Sequence, residues 1–248
     1  MKNIFVFDTE TVGLPPRNFV YDMGWIVTDR KGNIQKKRNF LIEEVITDGK
    51  KMMGAFFAKK IFSYYIPALD SGKINLISLN DMQDIMYDDL TECQTVAAYN
   101  VGFDLSALHN TVDICNGQQE ILFGDFDILC LWNFACEALL STPTYWKAAS
   151  THGWQSRAGN FTTTAESTYR FITGDPKFVE SHTALDDCMI ENEILKACFA
   201  KKKTIPYNKY NNSPWRKAQP PEQLEAMRLI RRLKQLELFE PDHGSRAL

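Results

Sequence analysis

The chain has 248 residues, with 28 Lys+Arg against 31 Asp+Glu and 44% hydrophobic residues, which is enough apolar content for one substantial core. No apolar run approaches the length of a membrane span, so the composition argues against an integral membrane protein. Six cysteines (Cys93, Cys115, Cys130, Cys136, Cys188 and Cys198) form no CxxC pair and no Cys/His spacing suited to zinc, and the first strand begins within a few residues of Met1; both point to a reducing, cytoplasmic setting.

The run Ile4-Phe5-Val6-Phe7-Asp8-Thr9-Glu10 predicts a strand over 2–8. Side chains alternate along a strand, so Asp8 and Glu10 face the same side, and the unbroken apolar run before them reads as a central strand buried on both faces. It breaks into carboxylates at its carboxyl end, the edge where open α/β sheets place their sites. Pro15-Pro16 stop any helix or central strand and put Leu14 on a stiff loop. Strands over 19–28 and 34–42 follow. Residues 51–68 predict a helical stretch, and residues 51–69 have two open readings: a core helix, or a lid whose aromatics surround Lys59 and Lys60 over a substrate groove. A helix over 78–92 leads to a strand over 95–100, a turn at Gly102 and a helix over 103–114 with Asp104 in its first turn, where the macrodipole favours an anion. A strand near 125–128 and a helix over 129–140 come next. Residues 141–162 read as a loop, with Trp146, Lys147, Trp154 and Arg157 as candidates to line a single-strand channel.

Helices over 163–173 and 183–199 complete this region. In the second, Ala184, Asp187, Cys188, Glu191, Ile194, Leu195 and Cys198 fall at spacings of three and four, one stripe facing its support. Asp187 lies on that stripe and Asp186 is turned toward solvent, so Asp187 is the acid that needs a buried partner. His182 sits before or at the first turn, off the stripe. Three strands with short links, then strands separated by helices, imply a mixed sheet.

The order of these motifs, DxE at Asp8-Thr9-Glu10, then Asn100, Phe103 and Asp104 after a strand-to-helix turn, then His182, Ala184 and Asp187, resembles the DEDDh 3′-to-5′ exonucleases, the DnaQ-like branch of the RNase H-like superfamily. The resemblance covers about residues 1–199, with Val12 where many relatives carry a threonine. It implies an α/β fold, an RNase H-like mixed five-stranded sheet flanked by helices with the first strand central. It further implies that Asp8, Glu10, Asp104 and Asp187 hold two divalent ions, Mg2+ or Mn2+, and that His182 takes the proton from the attacking water. Hard ions want such oxygen ligands, and an imidazole can accept a proton near neutral pH. Thr9, Thr11, Leu14, Asn100 and Phe103 would contact the substrate, a 3′ end of single-stranded or frayed DNA. RNA is the alternative substrate, and a non-catalytic replication accessory is the alternative function.

The organisation expected is an exonuclease domain over 1–200 and a basic tail over 201–248 that contains a helix. The tail holds 11 Lys+Arg against 5 Asp+Glu, net +6, while the preceding residues hold 17 against 26, net −9. Its basic and aromatic residues suit either a phosphate-backbone contact or a solvated linker. After Pro221, Leu224, Met227, Ile230 and Leu233 recur as on an amphipathic helix. It ends in Gln235-Leu236-Glu237-Leu238-Phe239, which resembles the short peptide by which bacterial replication and repair proteins dock on the β sliding clamp. Gln235, Leu236, Leu238 and Phe239 would make that contact, with the clamp or a polymerase as partner; the other reading is the apolar end of a packed helix.

Overall fold

The computed structural model describes residues 3–115, 123–210 and 212–237. Among these residues, six strands form one mixed sheet: β1 (Asn3–Leu14), β2 (Arg17–Thr28), β3 (Ile34–Ile42), β4 (Asn75–Ile77), β5 (Cys93–Ala98) and β6 (Asp127–Cys130), in the order β4-β3-β2-β1-β5-β6. β1 is antiparallel to β2 and parallel to β5, and β5 is parallel to β6. The sixth strand corrects the expected five. β4 is three residues long at a sheet edge, too short to show a period of two.

Between β3 and β4 the chain makes short helical turns, α1 (Glu43–Ile46), α2 (Gly49–Met52), a π turn (Ile61–Tyr65) and α3 (Ile66–Asp70), in place of the continuous helix predicted over 51–68. The longer helices are α4 (Leu79–Leu90) and α5 (Val101–Cys115), then α6 (Leu131–Ala135) running into a π turn (Cys136–Leu140). α7 (Pro143–His152), α8 (Ala165–Thr173), α9 (Ala184–Lys201) and α10 (Pro221–Glu237) follow. α7 corrects the loop read over 141–162. Its signals were local: Thr142 caps Tyr145 N–H, Pro143 takes the first helical position, and Gly153 closes the helix at φ 66°. Trp154 is buried, and Trp146 Nε1 donates to the Ala218 carbonyl at 2.9 Å, so both tryptophans are spent on the core and the tail rather than a channel.

The alternation of β1 divides the core. Phe5 and Phe7 pack with Val101, Ala107 and Leu108 of α5 on one face. Ile4 and Val6 pack with Cys188, Ile194 and Leu195 of α9 on the other. β1 also runs six residues past its predicted end, because Pro15-Pro16 form the turn of a hairpin and β2 starts at Arg17, pairing with Leu14. A register shift between Glu10 and Thr11 leaves Tyr21 as the extra residue of β2, a bulge beside the carboxylates. Asp22, opposite Glu10, is fully buried and accepts hydrogen bonds from Tyr65 Oη (2.9 Å), Asn39 Nδ2 (2.6 Å) and Ala184 N (3.1 Å). One carboxylate thus ties the bulge to the π turn and to the start of α9.

After α9 the chain returns across the domain. Asn208 N donates to the Ile128 carbonyl at 2.7 Å and its Oδ1 accepts from Ile128 N at 2.9 Å, covering the free edge of β6. Gln219 bonds both backbone groups of Phe161, and Glu137 receives Lys202 and Lys217. α10 follows with Leu229, Ile230 and Leu233 about half exposed. Among the described residues no helix is long and apolar enough to cross a membrane.

Candidate active site

Three chain segments meet just beyond the last paired residues of β1 and β5, Val6 and Ala97. Continuing the alternation of β1, Asp8 and Glu10 lie on the α9 side, where Asp187 is buried. Thr9 lies on the α5 side, where its Oγ1 donates to Asp104 Oδ1 at 2.7 Å. Asp104 is in the first turn of α5, and the carbonyl of Asn100 accepts from Phe103 N at 2.8 Å to form that turn. On α9, the stripe from Ala184 to Cys198 is buried and Asp186 is exposed, bonded to the Thr183 hydroxyl at 2.9 Å. Glu10, His182 and Asp187 offer ligand atoms within 4.8 Å of one another.

These groups line a cleft of about 360 Å³ that contains Asp8, Thr9, Glu10, Asn100, Phe103, Asp104, His182 and Asp187. Thr11 and Leu14 lie outside it. Leu14 is 81% exposed at the hairpin tip, four residues or roughly 13 Å along the strand from Glu10. It stands on a strand end rather than a loop; the tip is held by α5, whose Asn110 donates to the Pro16 and Asn18 carbonyls. Gln235 is exposed in the last turn of α10, where the backbone of Leu236 also lies, while Leu238 and Phe239 fall outside the described residues.

Burial and mutual repulsion push the carboxyls up from their ordinary range. Burial raises Asp8 well above it, reinforced by Asp104, Glu191 and Asp187. Glu10 rises to about 8, through burial and then Asp22, against the pull of Lys60. Asp104 rises to about 7 through burial, opposed by the Thr9 hydrogen bond. Asp187 rises to about 9 through burial, then Glu180 and Glu10. Asp187 Oδ1 has no hydrogen-bond partner among the described residues. An orphaned buried oxygen in an all-oxygen acidic cluster fits hard divalent cations, which would neutralise the charge and satisfy the atom together.

His182 sits on the approach to α9 at φ 52°, an uncommon conformation for a non-glycine residue. Its ring stacks on Phe57 at 4.4 Å and 18°, and Lys60 Nζ donates to the carbonyls of both Ser181 and His182. Burial, then the charge of Lys60, holds the imidazole below its ordinary 6.5. Nδ1 lies 3.8 Å from Glu180 Oε2. Residues 51–68 therefore divide between the two readings: Met52, Ala55, Tyr65 and Ala68 enter the core, while Phe57 and Lys60 grip the histidine and Met53, Phe56 and Phe62 are exposed.

Sequence reasoning did not assign Glu180, Glu191 or Trp132 to the cleft. Only Glu191 carried a signal, as a charged residue on the buried stripe of α9.

No family model matches the sequence, and no curated protein matches it. Solved structures do. Cell-death related nuclease 4 (CRN-4) aligns at a TM-score of 0.53 and 12% identity over 84% of this chain and 66% of its own. E. coli exonuclease I in complex with a dA16 oligonucleotide aligns at 0.56 and 15% over 82% of this chain, which spans 42% of that protein. The nuclease domain of 3′hExo, a DEDDh family member, bound to rAMP, aligns at 0.55 and 10% over 85% of this chain and 98% of its own. With the sheet order and the meeting of β1, α5 and α9, these matches show that the chain has the RNase H-like fold of these nucleases.

Proposed function

We propose that the protein is a metal-dependent 3′-to-5′ exonuclease that releases nucleoside monophosphates from single-stranded or frayed DNA ends, in proofreading or repair. The observation that carries this reading is the convergence of Asp8, Glu10, Asp104 and Asp187 with His182 on one cleft of this fold. The four carboxylates would hold two Mg2+ or Mn2+ ions. When bound, such ions supply charge stabilisation for the attacked phosphate and the leaving 3′ oxygen. The chain's own residues do the rest. Thr9 fixes the Asp104 carboxylate by its 2.7 Å bond, and Phe57 and Lys60 orient the imidazole of His182. His182, kept neutral to lower pH than a free imidazole, takes a proton from the attacking water. Asn100 and Phe103 border the cleft where a terminal nucleotide would lie, and Leu14, exposed and outside the cleft, would contact the last base.

A second reading, an exoribonuclease, is favoured by the similarity to 3′hExo bound to rAMP, which matches that to exonuclease I bound to dA16. The test is degradation of matched 5′-labelled DNA and RNA oligomers with magnesium or manganese. Stepwise shortening from the 3′ end with release of mononucleotides is expected, and internal cleavage or no release overturns the proposal. RNA strongly preferred selects the second reading. Asp8→Ala and Asp187→Asn should each lower the rate by at least about a thousandfold without loss of apo stability. The sliding-clamp contact of Gln235, Leu236, Leu238 and Phe239 is likewise proposed, supported by the exposed apolar residues of α10 leading into it. Replacing Leu236, Leu238 and Phe239 should abolish binding to a bacterial clamp and leave hydrolysis of short oligomers unchanged.

A further inference from the structure

Glu191 stands one turn beyond Asp187 on the same face of α9 and is 1% exposed. Its Oε1 accepts the backbone N–H of Tyr99, at the end of β5, at 3.1 Å. Its Oε2 is buried and has no hydrogen-bond partner among the described residues, although it belongs to a residue that lines the cleft with Asp8, Asp104 and Asp187. Holding Tyr99 in place needs a single acceptor oxygen, and a glutamine would supply that with no charge. A buried carboxylate with one idle oxygen, beside three other acids, is costly unless a cation and its hydration shell answer it.

Magnesium-like ions keep several of their waters, and the hydrogens of those waters need acceptors. Oxygens just outside the ligand set tune affinity by taking such bonds. We propose that Glu191 is a fifth acidic group of the site, a positioning residue whose free oxygen accepts hydrogen bonds from the water shell of the ions held by Asp8 and Asp187. The inference rests on the metal-site reading above and adds a residue to it.

The test is calorimetric titration of the full chain, stripped with EDTA, with manganese chloride. Glu191→Gln preserves the shape of the side chain and the acceptor for Tyr99, so the fold is retained, as circular dichroism would verify. The expected result is manganese affinity weakened by about tenfold or more in Glu191→Gln. Asp186→Asn, the removal of an exposed neighbouring carboxylate, should keep wild-type affinity. Wild-type affinity in Glu191→Gln overturns the proposal alone. A wild-type chain that takes up no manganese overturns the metal-site reading, and the proposal with it. An equal loss in Asp186→Asn also overturns the proposal, because the effect would then be one of net charge.

Discussion

Lys60 acts on both halves of the catalytic proposal. Its ammonium holds the carbonyls of Ser181 and His182, lies 4.5 Å from the centre of the Phe57 ring, and lowers the proton affinity of Glu10 and Asp187. The same charge disfavours a proton on His182. Removing it in Lys60→Met should therefore raise the pKa of the imidazole and move the acidic limb of the pH–rate profile to higher pH, because a base works only in its neutral form. On the metal-site proposal, saturating magnesium would keep Glu10 and Asp187 ionised during the measurement. An unmoved limb would show that Lys60 holds the loop mechanically and no more. Phe57→Ala, which leaves that charge in place, should slow nucleotide release roughly fivefold through loss of about 1 kcal/mol of ring contact, with the limb unshifted.

At the scale of elements, the position of Asp187 depends on how closely α9 approaches the sheet. A Cβ on Gly24 of β2 would come within 2.4 Å of the Leu185 backbone nitrogen and 2.5 Å of the Ala184 carbonyl carbon. Backbone atoms cannot rotate away, so Gly24→Ala should push the helix outward, destabilise the protein by about 1–3 kcal/mol and weaken metal binding together. Urea denaturation and manganese titration of the same variant measure the two effects. A variant with wild-type values in both would refute this account of the approach. The sequence shows half of this contact: Ala184 reads as the small residue of the helix, but Gly24 sits inside an apolar strand pattern and gives no hint of which element crosses it. The same division runs through the site. Asp8, Glu10 and Asp187 are legible because strand and helix periods assign each a face, and Asp104 through its place in the first turn of a helix and in the motif order, whereas Phe57 and Lys60 reach His182, Lys60 across 122 residues, by tertiary packing that no local period encodes. The hairpin at Pro15-Pro16 departs from the sequence expectation for another reason. Two successive prolines there read as a break in structure, while they form the turn that joins β1 to β2.

Across the whole molecule, the cleft makes stability depend on pH in a direction unlike most carboxylate-rich proteins. Glu10, Asp104, Asp187 and Glu180 have folded-state values of about 8, 7, 9 and 7, against ordinary values near 4, and Asp22 of about 6. Between about pH 4 and 9 the folded chain therefore binds more protons than the unfolded chain, and its stability falls as pH rises. Ion-paired Asp89 and Glu137 are shifted the other way, by Lys36, Arg38, Lys202 and Lys217, so their contribution is lost only in stronger acid. The metal-free protein should consequently melt at a lower temperature at pH 8.5 than at pH 5.5. On the metal-site proposal, divalent cations would bind the ionised carboxylates and compete with those protons, so magnesium should raise the melting temperature more at pH 8.5 than at pH 5.5, reducing or reversing the trend. Thermal melts in EDTA and in excess magnesium at the two pH values measure both terms. A metal-free melting temperature that is flat or rises over this range would mean that the carboxylates do not share the charge-crowded cleft from which the proposed activity is argued.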